Sequence, residues 1–171
     1  LKKQAEAEAK LADLRDSIAF MIGDVNIGAN ASTSAFKKYL YEDLKLPVFK
    51  TTAKYQEAMD DEAMILLSEW CRENRPELAA LFELVQEYRR WGKIKSTYID
   101  GYLEHINSVT GRIHPDLFPL GTETGRFAAR NPNLQNCPRK DNDPVGVRNF
   151  FIAPKGKALL SLDFSQIELR V

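Results

Sequence analysis

Leu11, Leu14 and Ile18 recur at helical spacing among charged residues, which predicts an amphipathic helix in the first third of the chain, ended by Gly23 and Gly28. Phe36, Tyr39, Leu40 and Leu44 predict a second helix from about Ser34, with Ser34 as its N-cap and Pro47 as its stop. The stretch 45–60, with Pro47, Thr51 and Thr52, reads as an exposed tip. Asp60 or Asp61 caps a helix through Leu66, Leu67 and Trp70, and Pro76 suits the first position of the next one. In that helix Leu78, Leu81, Val85, Tyr88, Ile99, Leu103 and Ile106 are spaced for one buried stripe, with Gly92 as a point of bending. About 30 residues at 1.5 Å each would reach about 45 Å.

After Asn107 the helical period gives way to turn and strand signals. Thr110-Gly111-Arg112 leads into Ile113, a proline-rich middle follows, and the Lys155-Gly156 turn precedes a strand expected over 158–164. Alternation there puts Ala158, Leu160, Leu162 and Phe164 on one face and Leu159, Ser161 and Asp163 on the other. The expected fold class is α+β: a mostly helical lobe over residues 1–107, then a lobe over 108–171 with a few antiparallel strands.

With 171 residues, 44% of them apolar, the chain has material for a core. No apolar run approaches the roughly 18 residues of a membrane span, and the first residues lack a signal-peptide pattern, so a cytoplasmic protein without membrane contact is expected. Cys71, Cys137, His105 and His114 are too scattered to suggest a disulfide framework or a zinc site. The net charge of zero conceals an asymmetry. Residues 1–85 carry 11 basic and 15 acidic side chains, whereas residues 86–171 carry 13 and 9. A surplus of that size in the second half favours a polyanionic partner.

Three clusters hold candidate chemistry, and each also has an ordinary structural explanation. Asp163 stands at the tip of an apolar strand, where a carboxylate can hold one of two metal ions against a phosphate, or be an exposed turn residue. No later residue supplies a second such carboxylate. Ser165 and Glu168 have capping-box spacing. The amide-rich segment from Thr122 to Pro138, with Arg126, is either a solvated loop or a set of donors for the acceptors that the DNA minor groove offers on every base pair. The run Tyr88-Arg89-Arg90-Trp91-Gly92-Lys93-Ile94-Lys95-Ser96-Thr97-Tyr98 places basic and hydroxyl side chains on the long helix, suited to phosphates or to a solvated face.

In this order the clusters resemble the family A DNA polymerases, the polymerase I-like enzymes of bacteria and bacteriophages. Asp163 to Arg170 is similar to the family's motif A, with Phe164 where tyrosine is usual. Thr124-Gly125-Arg126 and Pro132-Asn133-Leu134-Gln135-Asn136 resemble its entry to the palm, and Lys93 to Tyr98 its thumb-to-palm helix. The resemblance implies a thumb over residues 1–107 and the first part of a palm over 108–171. It implies Asp163 as catalytic metal ligand with the backbone carbonyl of Phe164, and Glu168 beneath the incoming sugar, where it would discriminate against a 2′-hydroxyl. Gln166 and Ile167 join Glu168 at the nucleotide, Gln166 near the primer terminus. Arg126, Asn133, Gln135 and Asn136 are implied as duplex contacts near that terminus. Lys95, Ser96, Thr97, Arg89 and Lys93 are implied along the backbone phosphates. Primer-template DNA, deoxynucleotides and two magnesium ions are the implied partners and cofactors.

The chain departs from the family pattern at Ala29 to Ala35, which is about three residues longer and lacks a Lys-Gln pair, and at Lys140, where arginine is usual. The family's fingers helix and second catalytic carboxylate are not in this sequence, so the chain is expected to be an inactive piece of a longer primer-extending enzyme. The competing expectations are a stand-alone duplex-binding module derived from a polymerase thumb and a purely structural helical protein. Self-association through the edge of the 158–164 strand is a further expectation.

Overall fold

The computed structural model describes residues 2–138, 143–162 and 164–165. Helix α1 runs over Lys2–Ile22 and buries Ala7, Leu14, Ile18 and Ile22, the face that the sequence period marks. Gly23, in left-handed backbone at φ 69°, follows its last turn. Helix α2, Ser34–Lys38, continues as one wider π turn over Tyr39–Asp43. Its N-cap is Thr33 rather than Ser34, because the Thr33 hydroxyl is the one that accepts from the Phe36 amide, at 3.1 Å. Between 45 and 60 the chain forms an irregular tip closed by a bridge between Thr51 and Glu57.

Helix α3, Asp61–Asn74, is capped by Asp60, whose carboxylate accepts from the Ala63 amide at 2.9 Å. Helix α4, Pro76–Lys93, starts on proline as expected, since that position has no intrahelical partner for an N–H. It continues without interruption through a π segment, Ile94–Asp100, into helix α5, Gly101–Glu104. Helix α4 packs against both α3 and α1. Between them lie Leu14, Ile18, Met64, Leu67, Cys71, Leu81, Phe82, Val85 and Tyr88, all within one buried cluster. Truncating one of its leucines to alanine would cost about 2–5 kcal/mol.

The buried stripe expected along the long helix is corrected at its far end. Leu103 and Ile106 are exposed, and Tyr98 and Tyr102 are buried in their place. This far end of the helix packs on the chain that follows it: the Tyr98 hydroxyl donates to the Asn136 carbonyl at 2.7 Å, and Tyr102 meets Phe151 edge to face at 5.5 Å. Gly92 lies within regular helix, and a Cβ there would stand 3.3 Å from the Ala29 carbonyl oxygen. It permits a loop to approach.

Beyond the helix, Gly111 (φ 64°) turns the chain, and β1, Asp116–Phe118, pairs antiparallel with β2, Ala128–Arg130, in the register Asp116 to Arg130. Val145 and Val147 are buried in the same core as the helices. The molecule is α+β, as expected, with one two-stranded sheet among the described residues. Among the described residues of 158–164, the expected strand is not formed. The Lys155-Gly156 turn is present, but Leu159, Leu160, Leu162 and Phe164 are exposed, and no described strand lies beside them to pair with. An isolated strand has no partner for its backbone groups and no covered face, so it gains nothing from extending as β.

Candidate nucleic-acid interface

Spacing on α4 and the π segment sets the first part of the site. Lys93 follows Arg89 by four residues, and Ser96 and Thr97 follow Lys93 by three and four, which puts them on one side of the helix. They line a shallow depression of about 430 Å³ together with Asn30 and Ser32 from the loop before α2 and with Asp60 and Asp61 at the start of α3. Lys93, Ser96, Thr97, Asn30 and Ser32 are exposed there. At 1.5 Å per residue, Thr97 lies about 12 Å along the axis from Arg89. The two aspartates therefore stand at the Arg89 end, and the open hydroxyl and ammonium groups at the other.

Local hydrogen bonds shape the loop that carries Asn30 and Ser32. The Asn26 side chain accepts from the Gly28 amide at 3.0 Å, and the Thr33 hydroxyl donates to the Asn26 carbonyl. Gly28 has φ 65°, and a Cβ on it would fall 2.7 Å from the Thr33 methyl, so a side chain there would be strained and would have to displace Thr33. Ala31, fully buried, holds φ 45°, a left-handed conformation that costs an L-residue about 1–2 kcal/mol. Side chains of α4 hold this backbone. The Tyr88 hydroxyl donates to the Gly28 carbonyl at 3.0 Å, and Arg89 donates to the carbonyls of Asn30 (3.0 Å) and Ala31 (2.8 Å).

Of the predicted phosphate contacts, Arg89 and Lys95 are engaged inside the molecule. The Arg89 guanidinium also pairs with Asp61 at 3.3 Å, and only 11% of its side chain is accessible. Burial pushes its pKa below the ordinary arginine value, and Asp61 opposes that shift. Lys95 faces the opposite side of the helix from Lys93. Its ammonium lies 2.6 Å from Asp100 and 3.3 Å from Glu8 of α1, and the hydrogen bond it donates to Asp100 raises its pKa.

The second part of the site follows β1 and β2. Arg126 sits on their connection, just after Gly125 (φ 73°), and is exposed; its carbonyl accepts from the Thr122 hydroxyl at 3.0 Å. Asn133 caps a short 3₁₀ turn, Leu134–Asn136, by accepting from the Gln135 amide at 3.1 Å. The Gln135 and Asn136 side chains are exposed, while the Asn136 carbonyl receives the Tyr98 hydroxyl. That bond joins the amide-rich turn to the helix bearing Ser96 and Thr97. The structure thus gathers Lys93, Ser96, Thr97 and Arg89 in one depression, and seats Gln135 and Asn136 against the same helix. Asn30 and Ser32 were not anticipated. The signal for them was a small polar stretch, Asn30-Ala31-Ser32-Thr33, immediately before a helix start.

Asp163, Gln166, Ile167 and Glu168, and Lys140 with them, lie outside the described residues. Phe164 is described and is 75% exposed. Among the described residues no three His, Cys, Asp or Glu side chains are grouped as a metal site. No helix of the described residues is long and apolar enough to cross a membrane.

The family model of DNA polymerase family A matches residues 1–171. DNA polymerase I of Pseudomonas aeruginosa is 37% identical over 148 residues, 86% of this chain and 15% of that protein. DNA polymerase I of Caldicellulosiruptor bescii is 36% identical over 167 residues, 97% of this chain and 18% of that protein. Among solved structures, the POL domain of Pol1 from M. smegmatis in complex with DNA primer-template and dNTP superposes with a TM-score of 0.76 at 26% identity. That match covers 92% of this chain and 26% of the other. The chain therefore spans less than a fifth of these two polymerases. A match that runs the whole length of the sequence places the chain in DNA polymerase family A.

Proposed function

We propose that this chain is the duplex-gripping segment of a DNA polymerase that extends a primer on a DNA template with deoxynucleotides in the cytoplasm. In this reading residues 1–107 are the helical thumb and residues 108–171 the first part of the palm. The observation that carries it is the exposed face of Lys93, Ser96 and Thr97 beside Asn30 and Ser32, on a chain whose match to the family runs end to end. One ammonium with neutral hydroxyl and amide donors suits backbone phosphates, which position a duplex without reading its sequence. The likeness to a polymerase domain bound to primer-template and dNTP supports the same partners here.

Arg126 on the β1–β2 connection and Gln135 and Asn136 on a turn tied to that helix are exposed, and we assign them to the minor-groove edge near the primer end, where acceptors occur on every base pair. Asn133 acts by capping the turn that presents Gln135. Asp163, with the Phe164 carbonyl, would hold magnesium, and Gln166, Ile167 and Glu168 would meet the nucleotide. Two bound magnesium ions would supply stabilisation of the attacking and leaving oxygens. The chain by itself binds duplex without extending a primer.

Primer extension by the full polymerase carrying this segment tests the reading. Asp163→Ala should lower the extension rate by more than about 10²-fold, since a metal ligand accounts for several kcal/mol of transition-state stabilisation, with primer-template affinity kept. Extension at the wild-type rate would refute the assignment.

A further inference from the structure

We infer that Arg89, assisted by Tyr88, is a positioning residue that clamps the 28–32 loop against α4, and is not itself a phosphate ligand; this rests on the duplex-gripping reading above. Four successive loop residues present their carbonyl groups to α4. Tyr88 takes that of Gly28, Gly92 leaves room for that of Ala29, and the Arg89 fork takes those of Asn30 and Ala31. Tyr88 is itself held, since its hydroxyl receives Arg15 from α1 at 3.2 Å. The clamp fixes a loop whose Ala31 backbone is in a region that L-residues disfavour, and such conformations persist only where surrounding bonds over-determine them.

Geometry also argues against a phosphate on Arg89. Two of its donors are consumed by carbonyls, a third by Asp61, and Asp60 and Asp61 line the same end of the depression. An anion arriving there would meet two carboxylates. What the guanidinium does instead is set the distance between Asn30 and Ser32 on the loop and Lys93 to Thr97 on the helix. A lysine keeps the charge but cannot bridge two carbonyls with a planar fork, so Arg89→Lys separates the two roles.

Backbone ¹⁵N relaxation on the 171-residue chain reads the clamp without DNA. In Arg89→Lys, order parameters at Ala29 to Ser32 should fall from about 0.85 to below about 0.6 while those of α3 and α4 hold, and Tyr88→Phe should lower them at Gly28. Unchanged values in both variants would overturn the clamp. Binding of a primer-template duplex over a salt series reads the consequence. Arg89→Lys and Arg89→Ala should weaken binding alike with the wild-type salt slope, whereas Lys93→Ala should reduce the slope by about 0.9. Full affinity in Arg89→Lys with a reduced slope in Arg89→Ala would make Arg89 a phosphate ligand and end the proposal. If the wild-type chain bound no duplex, the duplex-gripping reading would fall, and the relaxation data alone would decide the clamp.

Discussion

The Lys95 ammonium lies 2.6 Å from one oxygen of Asp100, and the other oxygen of that carboxylate accepts from Gln4 of α1 at 2.9 Å. With Glu8 also 3.3 Å from Lys95, the N-terminal half of α1 is tied to the helix that bears Ser96 and Thr97. Lys95 is thus a brace between helices, and the prediction is that it acts as one and not as a phosphate contact. Lys95→Met should lower stability by about 0.5–1 kcal/mol in urea denaturation and leave the salt slope of duplex binding unchanged. Because the pairing raises the Lys95 pKa, its contribution is present below the ordinary lysine range and is lost only as pH rises through the raised value. Between pH 6 and 8 the stability difference between wild type and Lys95→Met should be constant, whereas in a series above about pH 10 it should shrink.

Asp60 couples the tip to α3 in the opposite sense. The Lys50 ammonium, 2.7 Å away, and the Ala63 amide hold its carboxyl below the usual aspartate value. A depressed pKa gives stability that is present above the unfolded value, near 3.9, and lost as pH falls through the folded one. Asp60→Asn keeps an acceptor for the cap and removes the titration, so its acid unfolding profile below about pH 4 should be flatter than that of the wild type. Circular dichroism at fixed urea between pH 2 and 6 would show it. Identical profiles would mean that the cap carries the whole effect.

Ser68 lies on the buried face of α3, and its hydroxyl has no hydrogen-bond partner among the described residues. Ser68→Ala removes an unsatisfied buried group at the cost of little volume and should stabilise the chain by about 1 kcal/mol. For a chain of this size that is a rise in Tm of roughly 2–4 °C. A lower Tm would reveal a partner for that hydroxyl in solution.

Leu159, Leu160, Leu162 and Phe164 form an exposed apolar run after the Lys155-Gly156 turn. A run of this kind favours self-association whether or not it is a strand. Sedimentation velocity of the 171-residue chain should show concentration-dependent oligomers, and the Leu160→Lys, Leu162→Lys double variant should remain monomeric. Equal behaviour of the two would place the contact elsewhere.

The helices were legible because their signals are local. The α1 stripe, the Asp60 cap and Pro76 at the start of α4 each depend on residues within a turn or two of one another. What the sequence did not reveal depends on partners far along the chain. Thr33 and Ser34 both carry hydroxyls suited to a cap, and the choice of Thr33 depends on the loop around Asn26, to which its hydroxyl also donates. The period that predicted Leu103 and Ile106 inside carried one stripe straight along the helix, but the end of that helix turns Tyr98 and Tyr102 toward Asn136, Cys137 and Phe151. A strand pattern at 158–164 states which faces are apolar, not whether a neighbour exists to pair with. For the site, charge was visible at Arg89 and Lys95, whereas the carbonyls and carboxylates that occupy them were not. Asn30 and Ser32 gained their place from the fold of the loop against Tyr88 and Arg89, which no spacing announces.

The most direct test of a duplex-gripping face at Lys93, Ser96 and Thr97 is the affinity of the 171-residue chain for a primer-template duplex, titrated with salt for the wild type and Lys93→Ala. The prediction is a linear fall of log K with log salt, with the slope smaller by about 0.9 in the variant. No binding at low ionic strength, or equal slopes for the two proteins, would contradict it.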